Sequence, residues 1–370
     1  MKKIIFPFAI LMIALGLAGC NSSTNTKNES QAKPIKIGAI LPLTGDVSSY
    51  GIKIKNGILL AQEISGSKIQ VTFEDSKSRQ ADAVSAINKL INDGVKIIIG
   101  EVSSGNTKAI APIAEKNKVL LFSPSASDPI ISTMGDYIFR NYPSDNYEGS
   151  ELVKYISTKS YKDIYTITML TDYGVGLKRV ISESAPINGI NVLTQLEYKQ
   201  GETDFKTILT KIKNKNAAIV IVGYGTELGT LVRQAREMGL KNQFFSTVNF
   251  YDQNSLAAGG NAVEGVIFSA LYLNTSSQNN MINEYSTKYK AKFGEEPDIW
   301  SALGFDCFNI INKTMTDSLG NVNIEAVKTN FYNLKDYLGV SGKTSFDMNG
   351  DVIKPINFMT VQNNSFILKN

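Results

Sequence analysis

The chain has 370 residues, with 38 Lys and Arg against 34 Asp and Glu; its net charge of +4 is small for this length, so neither a nucleic-acid stripe nor a polybasic membrane patch is indicated. It contains no histidine, which removes the commonest general base, the usual catalytic triads and most transition-metal sites, so an enzyme is not expected and neither is a cofactor or metal. Hydrophobic residues make up 43% of the chain, ample for a globular body whose partners are neutral or zwitterionic small molecules rather than nucleic acid.

Lys2 and Lys3 precede an apolar run from Ile4 to Ala18. The run is shorter than the roughly 20 apolar residues of a transmembrane helix, and small residues close it, so residues 1–20 have the three parts of a secretory signal. Leu17-Ala18-Gly19-Cys20 resembles a bacterial lipoprotein box, which implies cleavage before Cys20 and acylation of its thiol. The expectation is an extracytoplasmic protein anchored to the bacterial cell membrane through Cys20. Residues 21–34, rich in Asn, Ser, Thr and Lys, read as a flexible tether. With Cys20 lipidated, Cys307 stands alone in the apolar stretch Trp300 to Ile311 and is expected to be a buried structural thiol.

The remaining residues, about 335 in number, exceed what one hydrophobic core usually serves. From Ile35 onward, β-branched runs alternate with helical patterns at the spacing of βαβ units. Strands are predicted at Ile35–Leu41, Lys68–Glu74, Lys96–Ile99 and Val119–Phe122, with crossover helices at Gly51–Ile64, Gln80–Asn92 and Thr107–Asn117. After Arg140-Asn141-Tyr142-Pro143 a second set follows: strands Asp163–Leu170, Asn191–Tyr198, Ala218–Val222 and Gln243–Thr247, with helices near Val175–Ala185, Asp204–Lys213 and Leu228–Gly239. Past Gly265–Ala270 come helices at Asn279–Phe293, Ile299–Leu319 and Ile324–Asn333, then short β-like pieces from Thr344 to Leu368. A lone helical layer there would have no sheet to cover, so the chain is expected to return to the first lobe. The fold class is therefore α/β, two doubly wound parallel-sheet lobes joined by a hinge of several crossings. The lobes are expected at 35–142 plus 272–345 and at 143–271 plus 346–370.

In open α/β sheets, ligands bind beyond the carboxyl ends of the strands. Pro42–Gly51 is a hydroxyl-rich loop ending near Tyr50; Gly100–Thr107 carries Ser103 and Ser104; Ser123–Pro129 carries Ser125, Ala126 and Ser127 between two prolines. In the second half, Thr171–Gly174 and Gly223–Glu227 each follow a strand and carry Tyr173 and Tyr224. Hydroxyls and free N–H groups at a helix N-terminus suit a carboxylate. Ser104, Asn106 and Thr107 are placed either for that or for simple helix capping, with Ser103 and Ser104 ahead of the cap.

These loops, in this order, resemble the periplasmic binding proteins of the leucine/isoleucine/valine type, solute receptors of ABC importers. The matching segments include Ile35 to Asn56, Asn92-Asp93-Gly94-Val95-Lys96 through Ser103-Ser104, Phe122 to Ser127, Asp172-Tyr173-Gly174-Val175-Gly176, and Leu231 to Arg236 with Gly239-Leu240. The resemblance implies the type I periplasmic binding fold, hinge closure on a small amino acid or related carboxylate, and delivery to an ABC permease. It assigns the ligand's carboxylate and amino group to Ser104, Ser125 and Ser127, and aromatic contacts to Tyr50, Tyr173 and Tyr224. Two departures stand out. The positions of a loop disulfide found in such proteins read Lys77 and Ser103, so these loops are expected to be held by packing alone. The acidic residue usual after the strand at Gln243–Thr247 is replaced by Val248 or Asn249, leaving Asp252 or Glu227 to pair with an ammonium, or a ligand without one. A sensor on the same fold is the alternative use. Against an enzyme, the chain has no Gly-x-Ser-x-Gly elbow and no P-loop, and its Gly-Tyr-Gly before Thr226 lacks the rest of a dinucleotide fingerprint.

Overall fold

The computed structural model describes residues 34–275, 279–315 and 322–369; the signal segment, Cys20 and nearly all of the expected tether lie outside them. The chain begins with β1 (Ile35–Leu41), α1 (Ser48–Ser65), β2 (Ile69–Asp75), α2 (Gln80–Asn92), β3 (Ile97–Gly100), α3 (Ser104–Lys116), β4 (Leu120–Ser123) and β5 (Ile138–Arg140). The last five residues of β1 are buried, as expected of a central strand covered by helices on both faces. It runs parallel to β2, with Ile35 opposite Ile69 and Leu41 opposite Asp75, and parallel to β3 on its other side. The order is β2-β1-β3-β4-β5, so successive connections leave β1 in opposite directions and open a crevice between β1 and β3.

The pattern then repeats. α4 (Asp145–Thr158) leads into β6 (Asp163–Met169), α5 (Asp172–Ile187), β7 (Asn191–Tyr198), α6 (Lys206–Leu209), β8 (Ala218–Val222), α7 (Gly225–Glu237), β9 (Phe244–Ser246), α8 (Gln253–Gly259) and β10 (Ile267–Ala270). Their sheet order, β7-β6-β8-β9-β10, repeats the first. α9 (Asn280–Phe293), α10 (Ile299–Thr314) and α11 (Ile324–Tyr332) follow, then the small ribbon β11 (Tyr337–Gly339) with β12 (Gly342–Thr344), and finally β13 (Asn357–Gln362) and β14 (Ser365–Leu368).

Several expectations are corrected. The second sheet is mixed: β13 runs antiparallel to β10, and β14 antiparallel to β13. The β13–β14 pair is antiparallel because the two-residue connection Asn363-Asn364, both at positive φ (52° and 54°), is a hairpin geometry that only antiparallel strands accept. The helix expected at Thr107–Asn117 starts at Ser104, that at Asp204–Lys213 shrinks to the single turn of α6, and β5 and α4 were not anticipated. Residues from Phe346 onward were assigned to the second lobe, yet Phe346 packs on Phe122, Phe139 and Phe331, and Asp351 pairs with Arg140 at 2.6 Å. This segment therefore stays on the first sheet, and the chain returns to the second only with β13.

α10 is buried along most of its length, including Cys307, a free thiol whose titration burial pushes up. It lies against α1 at near backbone contact. A Cβ at Gly57 would sit 1.9 Å from the carbonyl oxygen of Ser301, and one at Gly304 would sit 2.2 Å from that of Ile54. Only glycine permits the two helices to approach so closely.

Candidate functional site

The loops at the carboxyl ends of β1, β3 and β4 face those of β6, β8 and β9 across a cavity lined by Val47, Tyr50, Val102, Ser103, Ser104, Ser125, Ser127, Tyr173, Tyr224, Val248, Asn249 and Trp300. Eight of the nine expected ligand-binding residues thus come together from six separate loops. The space between them is about 30 Å³, room for a water molecule or two. The space is narrow, and beside it a second space of about 210 Å³ is lined in part by the same Val47, Ser103, Tyr173 and Tyr224.

One wall is built on the N-terminus of α3. Ser103 is the N-cap itself, accepting from Asn106 N–H at 3.4 Å and donating to Glu101 Oε2 at 3.0 Å, and Ser104 is the first helical residue, so the two do not precede the cap. Ser104 Oγ accepts from the N–H groups of Ser127 and Asp128 at 3.3 and 3.2 Å, which leaves its O–H to donate. It also ties the loop after β4 to the helix end. Ser125 donates to Val102 O at 2.9 Å, so its oxygen offers lone pairs only. Thr107 Oγ1 is engaged with backbone carbonyls and serves the helix. Ala126 is the exception to the clustering: it is buried among Ile110, Ala111 and Ile131, its N–H donates to Ser123 Oγ at 2.9 Å, and it does not line the cavity.

The loops after β2 and β3 are held by more than packing. Buried Glu101 accepts from Ser76 Oγ at 2.7 Å with one carboxylate oxygen and from Ser103 N–H at 2.6 Å with the other. Burial raises the pKa of this carboxyl group. The bridge spans the two loops that packing alone was expected to hold, where similar proteins carry a disulfide.

The other wall is aromatic. Tyr50 lies 4.5 Å from Trp300 and 6.2 Å from Tyr224, which stacks at 6.2 Å on Tyr173. Burial raises the pKa of all three phenols, which stay neutral donors. Tyr173 shares a 2.5 Å hydrogen bond with Thr247 Oγ1. Trp300 comes from α10, an apolar helix whose sequence gave no sign of a binding role. Asn249 and Val248 do face the cavity, whereas the two acids considered as substitutes do not line it. Asp252 caps α8 and accepts from Ser49 Oγ, and Glu227 accepts from Gly201 N–H at 3.2 Å.

Behind this wall lies a feature that sequence reasoning missed with α4. Asp145 and Glu148, in the first turn of that helix, are both fully buried. Glu148 Oε1 accepts from Val248 N–H at 3.2 Å and from Ser269 Oγ at 2.7 Å, while Oε2 and both oxygens of Asp145 have no hydrogen-bond partner. Burial pushes the Glu148 carboxyl up to about 7; burial and then the charge of Glu148 push Asp145 well above the ordinary range. Acidic residues in a first helical turn are ordinarily solvent-facing dipole partners, so nothing local marked these two.

Polar contacts cross the rim of the cleft. Lys108 Nζ sits between Asp128 Oδ2 at 3.1 Å and Asp172 Oδ1 at 2.7 Å, and Gln200 donates to Asp46 at 2.9 Å. The site is a narrow cleft with neutral donors on one side, aromatic faces on the other, and buried acid behind.

A family model described as periplasmic binding protein matches residues 34–365. The chain is similar to a leucine-, isoleucine-, valine-, threonine- and alanine-binding protein of Pseudomonas aeruginosa, 29% identical over 368 residues with 95% of each chain covered. Among solved structures, it resembles a leucine-binding protein from Thermotoga maritima (TM-score 0.86, 29% identity, 91% of this chain and 98% of that one). It also resembles a branched-chain amino acid transporter substrate-binding protein from Streptococcus pneumoniae in complex with isoleucine (TM-score 0.83, 29% identity, 90% and 98% covered).

Proposed function

The chain belongs to the periplasmic binding protein family, which spans residues 34–365, and from this premise we propose that it captures a small amino acid or related carboxylate between two lobes and delivers it to the permease of an ABC importer. The observation that carries this reading is the narrow cavity at the carboxyl ends of both sheets, with the Ser104 hydroxyl and the α3 N-terminus on one wall and Tyr173 and Tyr224 on the other. An N-terminal helix end with a free O–H donor suits a carboxylate, and the aromatic faces suit an apolar body with a polar tip. Capture requires no covalent step; hydrogen bonds completed only on closure supply the selectivity. The similar Pseudomonas protein that binds leucine, isoleucine, valine, threonine and alanine, and the Streptococcus structure with isoleucine, agree with this ligand class.

A thermal-shift screen tests the ligand class. Leucine, isoleucine, valine, alanine, small carboxylates and amides are compared at millimolar concentration, and a ligand held at about 100 times its Kd adds about 2.7 kcal/mol. The expected result is a rise of several degrees with amino acids; no shift with any amino acid or carboxylate sinks the reading. We further propose that lipid on Cys20 holds the protein extracytoplasmically at the cell membrane, supported by the signal and tether composition of residues 1–34. Cys20→Ala then shifts the protein from the membrane fraction to the soluble one, and retention at the membrane refutes the anchor.

A further inference from the structure

Resting on the reading that the ligand is an amino acid, we propose that Glu148 is the specificity-determining anion of this site: from just behind Val248, its carboxylate selects ligands carrying an ammonium over their des-amino counterparts.

The cavity surface itself carries no charged side chain. An ammonium enclosed there would meet dipoles only, and a buried charge needs a partner of opposite sign or it is strongly disfavoured. The backbone N–H of Val248, a cavity residue, is 3.2 Å from Glu148 Oε1, so the carboxylate stands one residue behind the wall. Its other oxygen is buried without any hydrogen bond, and so are both oxygens of Asp145. Arg140, whose charge acts on Asp145, is itself paired with Asp351 at 2.6 Å. The fold thus buries two acids beside the cavity and gives Glu148 no internal cation. Protons neutralise both in the free protein; in the complex a cationic ligand group takes the place of the one on Glu148.

Glu148 rather than Asp145 is the one that ionises. Two carboxyls this close do not both carry charge, and Glu148 has two donors on Oε1, while the Ser127 hydroxyl and the Arg140 charge that favour ionised Asp145 complete no hydrogen bond to it. The other titratable groups facing Glu148 are Asp145 on its own helix, Tyr142 from the segment before α4 and Tyr173 from α5. Both phenols stay neutral because burial raises their pKa. The residues that touch it from the segment after β9 and from β10, Val248 and Ser269, are neutral. Below about pH 7, where Glu148 holds its proton, an arriving ammonium drives that proton into the buffer; the ligand keeps its own.

The test is calorimetry of wild type and Glu148→Gln with leucine, valine and alanine, each against its des-amino acid (isocaproate, isovalerate and propionate), in two buffers of different ionisation enthalpy at pH 6. Expected are a loss of about tenfold or more for the amino acids in Glu148→Gln, little change for the des-amino acids, and release approaching one proton per amino acid bound by wild type. An unchanged ratio between amino acid and des-amino acid in the variant overturns the proposal. So does binding by wild type without proton release, a measurement that does not depend on the variant folding. Wild type that binds no amino acid at all refutes the ligand reading first, and this inference falls with it.

Discussion

The phenol of Tyr50 links the two sides of the cleft: it donates to the carbonyl of Asn249 at 3.2 Å and accepts from the N–H of Gly225, also at 3.2 Å. Tyr50 stands at the start of α1 on the first sheet, and both partners belong to loops of the second. Its ring meanwhile rests on Trp300.

Because those hydrogen bonds exist only when the cleft is shut, Tyr50→Phe keeps the aromatic contact and loses the link. Each such bond contributes about 1 kcal/mol, so ligand affinity falls about fivefold or more, and by the same factor for every ligand. Calorimetry on a set of ligands checks this, and a change in selectivity rather than a uniform loss contradicts it.

Lys108 acts at the rim, between Asp128 and Asp172, without lining the cavity. The pair is partly exposed, so its net contribution is at most about 1 kcal/mol. Lys108→Met is expected to weaken binding about two- to fivefold at low salt. The gap between variant and wild type narrows as ionic strength rises toward about 1 M, where the Debye length falls to about 3 Å. Affinity measured across a salt series reads out both.

Gly57→Ala places a methyl 1.9 Å from the carbonyl of Ser301, where backbone rather than a flexible side chain must yield. Overpacking of this kind costs about 1–3 kcal/mol, sometimes more, so the urea midpoint drops. An exposed glycine with open space around it, Gly94, provides the contrast for crowding, although its positive φ of 80° carries its own penalty for alanine. A midpoint for Gly57→Ala equal to that of wild type refutes the close helix contact.

The buried acids set a pH dependence of the free protein. The folded pKa of Glu148 is raised from 4.5 to about 7, so between those values the folded state binds more protons than the unfolded state. Its stabilising contribution is full below about pH 4.5 and is lost as pH climbs to about 7, a change on the order of 3 kcal/mol. Asp145 shifts in the same direction and adds to the trend. Glu148→Gln removes the Glu148 part of this window, so ligand-free variant and wild type differ more in melting temperature at pH 8 than at pH 5, with the variant the more stable. Equal differences at both pH values count against a raised Glu148.

Much of the site was legible because its residues follow strands. The run from Ile35 to Leu41 identifies a buried strand, and the hydroxyl-rich loops after β1, β3 and β4 and the tyrosines after β6 and β8 are then assigned to the crevice by topology alone. What escaped were residues whose role depends on partners far along the chain. Glu101 reads as an ordinary loop acid until Ser76 and Ser103 close on its two oxygens. Trp300 reads as core because α10 is apolar, and only its packing beside α1 brings it to Tyr50.

The sequence by itself determined the alternation of strands and helices, the repeated α/β pattern and the composition of the loops at the strand ends, because periodicity and turn chemistry are local. Tertiary structure alone decided the antiparallel edge made by β13 and β14, the position of Phe346 to Asp351 on the first sheet, and the burial of Asp145 and Glu148 behind the cavity. Burial and charge environment are set by residues distant in the chain, and for Glu148 those are Val248 and Ser269. No reading of the neighbouring residues of α4 reveals them.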